Sequence, residues 1–457
     1  MDISAFGGQS DAHAAELDYA SAIRAARGAP RQLEDLYQTA RRAGQAASFG
    51  TALLAVSAET PDDTLYLAWR YRLEAADDHR WSRLGTGWWA AIPLSVTLAL
   101  IFFATSDPRW RVADSIPAQV FFWPPLAALA IIWYLTLAGR RSRGRYALAA
   151  GASVALTALV AYVYFIPAVT PGGAASHLDY FTLMIPHLPL LAWAAVALVA
   201  LGLRFTARDL FGLLTKSLET IGAGGVYTIA GVAFVGLTYA MFQTLDVRIP
   251  LLAQRLLIGG GAGLLPALAV ASVYDPLRRA GAQDFYRGFG KTLAIVMRVL
   301  LPLTLLTLLV YLAFVPSNFF APFNQRNVLI TYNVGLFAVM GLLVGVIPIS
   351  VEDVAPRLRV WLRAGITALA ALALLVSLYA LSAILYRTAL DGLTMNRLVV
   401  TGWNILNIAL LALALIAQAQ AGRGNGWAAA LQRVARGGAL AYIAWGLALT
   451  LALPWLF

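Results

Sequence analysis

The chain contains no cysteine, which excludes disulfides, thiolate metal sites and cysteine nucleophiles. Charge is scarce as well: 12% of the 457 residues are Asp, Glu, Lys or Arg, about half of what a soluble globule carries. Only two lysines occur, so the 34 basic residues are almost all arginine. No His-Glu-x-x-His and no Gly-x-Ser-x-Gly is present, which removes the signatures of a zinc protease and a serine hydrolase. Gly288-Phe289-Gly290-Lys291-Thr292 ends like a phosphate-binding loop, but Phe285 stands where the first glycine is required. Tyr274-Asp275 matches half of an intramembrane aspartyl protease site, and the partner Gly-x-Gly-Asp is missing. Among four histidines only His187 lies in an apolar run, and between Pro186 and Pro189 it reads as a helix-packing residue. The sequence therefore predicts no catalytic, metal or cofactor site and a protein that is not an enzyme.

What is present is apolar: 60% of the residues are hydrophobic and the mean hydropathy is +0.71. The apolar residues gather into runs near the roughly 20 residues that span a bilayer as a helix. Eleven are predicted, near 86–105, 117–138, 146–167, 180–203, 222–244, 249–273, 292–315, 329–350, 361–384, 398–418 and 438–456. The expected fold is an all-α polytopic membrane bundle. The segment 209–221 is too polar to span and is expected to lie along the interface.

Residues 1–84 differ in kind, with nine arginines against twelve acids, a net charge of −3. Residues 85–457 carry 25 basic and 11 acidic residues, a net of +14. A basic excess confined to membrane loops is what topology selection produces, so it implies a lipid bilayer as partner and no nucleic acid. With the N-terminus inside, alternate loops hold 17 basic residues on the inner side and 7 on the outer. This predicts a multi-pass protein of the inner (plasma) membrane, with a cytoplasmic N-terminus and Phe457 outside.

The first 84 residues read as a cytosolic head of four amphipathic helices. Their stripes are Tyr19, Ile23 and Ala26; Leu33, Leu36, Tyr37 and Ala40; Phe49, Leu53 and Val56; and Leu65, Trp69 and Leu73. Thr60 is the expected cap of the fourth helix, followed by Pro61 and an acid at Asp63. Such a module suits binding of a cytosolic protein partner, or packing as a plug on its own membrane domain.

Three constellations stand out in the membrane domain. Arg287, Lys291 and Arg298 fall at i, i+4 and i+11, a candidate contact for an anionic headgroup or solute, or arginines snorkelling to lipid phosphate beside Asp284. Gly222, Gly224 and Gly225 are expected to meet Gly259, Gly260, Gly261 and Gly263 in close helix packing. An unwound segment lined by Gln254 and Arg255 is the alternative. Third, Tyr386-Arg387 leads to Asp391-Gly392-Leu393-Thr394-Met395-Asn396-Arg397 between the ninth and tenth runs. There Gly392 suits a left-handed helix end and Thr394 a cap. Arg397, Thr401 and Asn404 then make one polar stripe, which must face protein or water and not lipid. Asp391 is the nearest partner for Arg397.

The order Arg387, Gly392, Leu393, Thr394, Arg397 resembles the signature turn of a bacterial polytopic family designated domain of unknown function four-one-five-three. Leu300-Leu301-Pro302-Leu303 is similar to that family's Leu-x-Pro-Leu span, and Gly345-Val346-Ile347-Pro348 follows in the expected order. The resemblance covers roughly residues 285–420, with Asp391 where family members often have tyrosine. It implies a multi-pass bacterial envelope protein and names no substrate.

Two functional classes follow. One is a non-enzymatic scaffold or sensor whose head binds a partner and whose spans sense or organise lipid. The other is a permease or flippase for an anionic solute or lipid, built on Arg255, Arg298 and Arg397 around a polar cavity. All eleven acids after residue 84 fall in loops or at run ends, where a cation-coupled pump needs one at mid-depth. This favours the first class.

Overall fold

A computed structural model describes residues 18–457 apart from 43–44, 61, 82–86, 171–172, 286–287, 352–353, 423 and 425. The chain divides into two compact units, Met1–Gly85 and Thr86–Phe457.

The first unit holds α1 (Tyr19–Ala25), α2 (Pro30–Arg42), α3 (Ala46–Glu59) and α4 (Thr64–Trp81). Asp18 caps α1 by accepting from the amides of Ala20 and Ser21, and Pro30 opens α2 where no amide partner is needed. The cap of α4 is Asp63 and not Thr60: Asp63 Oδ1 accepts from the amides of Leu65 and Tyr66, at 3.0 and 3.4 Å. A carboxylate there also meets the positive end of the helix dipole. The core is aromatic, with Tyr19, Tyr37, Phe49 and Trp69 in mostly edge-on contact. Tyr66, which the stripes omit, is buried as well, and its hydroxyl donates to Ile23 O at 2.8 Å.

Ion pairs tie the periphery of this unit: Arg24 to Glu59 at 2.6 Å, Arg27 to Asp63 at 3.2 Å, and Arg72 to Glu34. The guanidinium of Arg72, then the Gln38 amide, holds the Glu34 carboxyl below its ordinary value. Arg24 does the same to Glu59, and Ser21 to Asp18. A carboxyl depressed in the folded state adds stability above its unfolded pKa and loses it as pH falls through the folded one. The helical circular dichroism of residues 1–84 is therefore expected to decline as pH falls from about 5 to about 3. Arg72→Ala should flatten that dependence; an unchanged acid transition in this variant would show that the Arg72–Glu34 pair contributes nothing to it.

The second unit is an all-α polytopic bundle, with eleven helices among the described residues long and apolar enough to cross a membrane. They are α5 (Trp88–Thr105), α6 (Ala118–Ala138), α7 (Arg143–Phe165), α8 (Ala174–Leu201), α9 (Ala207–Thr244), the span formed by α10 (Leu251–Arg255), a π turn and α11 (Gly261–Val273), then α12 (Phe289–Phe314), α14 (Arg326–Val346), α15 (Pro356–Asp391), α16 (Met395–Gln420) and α17 (Trp427–Leu456), with the short α13 (Ala321–Asn324) before α14. A two-residue pair of strands, β1 (Arg111–Val112) and β2 (Ile116–Pro117), links α5 to α6. Helices satisfy every backbone group internally, which is why apolar runs in lipid adopt no other open form.

The polar segment 209–221 is not a separate surface helix. It is the first part of the continuous α9, whose 38 residues extend about 57 Å at about 1.5 Å per residue. Its polarity is absorbed by protein, because Leu210, Phe211, Gly212, Leu213, Lys216 and Glu219 are all buried. Beyond residue 224, α9 is exposed and apolar nearly all round, as suits a helix in contact with lipid.

Candidate functional site: a basic cavity abutting an apolar one

The constellations singled out in the sequence land in separate places. Arg287 lies outside the described residues, and α12 starts after it, at Phe289. Lys291 is exposed, whereas Arg298 is half-buried in a small crevice that Glu219 also lines. Arg255 spans the end of α5, donating to Ser106 Oγ and Phe103 O and pairing with Asp107 at 3.2 Å. Arg397 pairs with Asp391 at 2.6 Å and donates to Gly392 O at 2.6 Å. Each of the three guanidinium groups is thus held at a different helix end or crevice.

The turn at 387–397 has the expected backbone. Gly392 takes φ +81° and closes α15, and Thr394 Oγ1 accepts from the Arg397 amide at 3.3 Å. Arg387 and Thr401 are half-buried, and Asn404 is fully buried. Asn404 Nδ2 donates to Asn333 Oδ1 at 2.7 Å, so the stripe's deep end is a helix-to-helix contact. Nearby, Trp403 Nε1 donates to His187 Nε2 at 3.2 Å, while His187 Nδ1 lies 2.6 Å from Leu183 O. His187 is a packing histidine with both nitrogens engaged.

The glycine stretches also part company. A Cβ on Gly263 would lie 2.7 Å from Ala99 Cα, and one on Gly259 2.7 Å from Ser106 Cβ, so this run packs on α5. Gly222 instead faces the Phe289 ring and Gly224 faces Ala269. Between Arg255 and Gly261 the helix widens into a π turn, Leu256–Gly260, and Gln119 Nε2 donates to Gly259 O at 3.4 Å. Gln254 Nε2 donates to Ile249 O at 2.8 Å, at the start of this span.

A different set of cations converges. Where α6, α8 and α11 end and α7 begins, a cavity of about 570 Å³ is lined by Arg140, Arg145, Arg278 and Arg279. Local structure fixes each wall. Ser142 caps α7, its hydroxyl accepting from the Arg145 amide at 3.3 Å. Arg145 then folds back to donate to Leu135 O, a terminal carbonyl of α6, at 3.2 Å. Gly139 makes room for it, since a Cβ there would lie 2.9 Å from both terminal nitrogens of Arg145. Thr206 and Asp209 form a capping box at the start of α9.

The loop after α11 carries Arg278 and Arg279 and is rigidly held. Buried Gln283 accepts from the Asp275 amide at 3.0 Å and donates to Asp275 O at 2.8 Å. Asp209 accepts from the Gly281 amide at 3.2 Å, and α9 touches the loop at Gly212. Among the acids, Asp275 pairs with Arg278 at 3.4 Å.

A second cavity, of about 900 Å³, lies among α5, α6, α8, α9 and α11. Its lining positions on α9 run from Leu213 to Thr228, about 22 Å of helix, most of the roughly 30 Å hydrocarbon thickness. Pro124, Pro189 and Pro266 all line it, and a proline inside a helix prevents straight, flush packing. Most of its polar groups are engaged: Lys216 with Glu219 at 2.7 Å, Ser217 with Trp193, and Thr220 and Thr228 with their own helix. Leu135 and Tyr274 line both cavities, so the basic one abuts the apolar one.

In the sequence these four arginines counted only toward topology. The signal present was their local density, Arg140 to Arg145 and Arg278-Arg279; what joins the two groups is tertiary. No protein-family model, curated protein or solved structure matches this chain.

Proposed function

We propose that the protein holds an anionic lipid, its headgroup among Arg140, Arg145, Arg278 and Arg279 and its tails in the apolar cavity. The observation that carries this reading is the shared wall at Leu135 and Tyr274. An amphiphile needs a cationic compartment and an apolar one in contact, and basic pockets between membrane helices bind lipid headgroups for this reason. By the distribution of basic residues the site faces the cytoplasmic leaflet. The protein then acts as a non-enzymatic scaffold or sensor of the inner membrane, its cytosolic head binding a protein partner according to the lipid held. The resemblance to the bacterial family covers residues 285–420, outside the walls of both cavities, so it neither adds to this reading nor opposes it.

The flippase reading is the weaker one on this geometry. A headgroup crossing the bilayer needs polar groups free to replace water, and leaving a charge unsolvated costs several kcal/mol. Away from Tyr274 at the shared wall, the apolar cavity offers engaged serine and threonine hydroxyls and a paired lysine. Native mass spectrometry of the purified full chain should retain anionic lipid on the wild type. Gly225→Trp should lose most of it, because Gly225 lines the apolar cavity and a Cβ there meets nothing within 4 Å. Equal retention of a zwitterionic lipid, or no effect of the tryptophan, would sink the proposal. Headgroup translocation in reconstituted vesicles would replace it with the flippase.

A further inference from the structure

We infer that the lipid held is one ending in a phosphate monoester or diphosphate, and not a phosphodiester lipid of single charge. This rests on the lipid-holding reading above and concerns the headgroup alone. The argument is a charge balance within the basic cavity. Arg278 is compensated by Asp275 at 3.4 Å. Arg145 has one terminal nitrogen on Leu135 O, at 3.2 Å, and no carboxylate partner among the described residues. The exposed side chains of Arg140 and Arg279 make no hydrogen bond or ion pair among the described residues. The Asp209 carboxylate acts electrostatically on Arg279, which leaves two guanidinium charges of this cavity, those of Arg140 and Arg145, without an acid in contact among the described residues.

A phosphodiester headgroup brings one negative charge and leaves one of the two uncompensated. A terminal phosphate monoester brings about −1.5 to −2 near pH 7, and a diphosphate more. It also presents three outward oxygens, and the planar guanidinium fork binds such oxygens in pairs. The cavity supplies a further donor: Tyr274 lines it, and the described structure gives its hydroxyl no hydrogen-bond partner. Placed where the two cavities abut, that hydroxyl reaches the junction between headgroup and tail.

The test uses the full chain in detergent. Binding is measured by thermal shift and by mass spectrometry for phosphatidic acid, phosphatidylglycerol and phosphatidylcholine of identical acyl chains, and for inorganic pyrophosphate alone. Phosphatidic acid is expected to bind about tenfold tighter than phosphatidylglycerol. That advantage should shrink as pH falls through about 6, where the monoester takes up its second proton, while phosphatidylglycerol shows no such dependence. Arg140→Gln with Arg279→Gln should bring phosphatidic acid down toward phosphatidylglycerol. If that variant does not fold, the wild-type pH profile decides alone. Equal affinity for the two anionic lipids at every pH overturns the inference and leaves the lipid-holding reading intact. Binding of pyrophosphate with no binding of any lipid overturns both, and makes the cavity a site for a soluble polyanion.

Discussion

Replacing Lys216 by methionine is expected to destabilise the membrane unit by about 3–5 kcal/mol, the usual cost of removing one partner of a buried ion pair. Lys216 and Glu219 are among the few charged side chains fully enclosed, with side-chain exposures of 5% and 4%. Lys216 Nζ also donates to Asp284 O at 2.5 Å, tying α9 to the loop before α12. Glu219 packs so closely on α12 that a Cβ on Gly290 would lie 2.7 Å from its Oε1. Without the ammonium this carboxylate has no cation in salt-bridge contact among the described residues and only a small crevice for water. The double change Lys216→Met, Glu219→Leu should recover most of the loss, since replacing a whole buried pair by apolar residues is often neutral. Thermal unfolding in detergent reads both. If the double variant is as unstable as the single one, the pair's value lies in its shape and its bond to Asp284, and the charge argument fails.

Gly212→Val is expected to cost about 1–3 kcal/mol as an overpacking change, and to remove lipid retention with it. A Cβ on Gly212 would lie 2.4 Å from Ala280 O and 2.8 Å from its carbonyl carbon, so the clash is with backbone and cannot be relieved by a rotamer. The loop must move, and it carries Arg278 and Arg279 on one wall of the basic cavity. Gly281, facing Asp209 at the same contact, marks the approach from the other side. Native mass spectrometry and the melting temperature should therefore fall together. Full lipid retention in a destabilised Gly212→Val protein would mean that the loop's position is not what holds the headgroup.

The two expectations differ in where the sequence could have announced them. Gly392 was legible as a special residue because helix ends of this kind need a local conformation, φ +81° here, that neighbouring residue types already specify. Gly212 carries no such local sign, because its φ is helical and only a chain segment nearly seventy positions away requires its lack of a side chain. The same distinction separates Arg397 from Arg145. Asp391 lies on the same turn as Arg397, within reach of its side chain. Arg145 has its partner, Leu135 O, on the preceding helix.

The apolar runs by themselves determined that the second unit is a helical bundle and roughly where most of its spans lie, since runs of this length satisfy their backbone groups in lipid as helices; α9 and α17 start well before their runs, at Ala207 and Trp427. Periodicity likewise determined the core faces of the N-terminal helices, because a 3.6-residue repeat is a local property. The tertiary structure alone decided which polar groups meet. It brought Arg140 and Arg145 to Arg278 and Arg279, buried Lys216 beside Glu219, absorbed residues 209–221 into α9, and kept Arg255, Arg298 and Arg397 apart. Helices that are apolar on every side leave their neighbours unspecified in the sequence. Which helices adjoin is then settled by close contacts at small residues and by kinks at prolines, and it is there, where packing departs from flush, that the cavities lie.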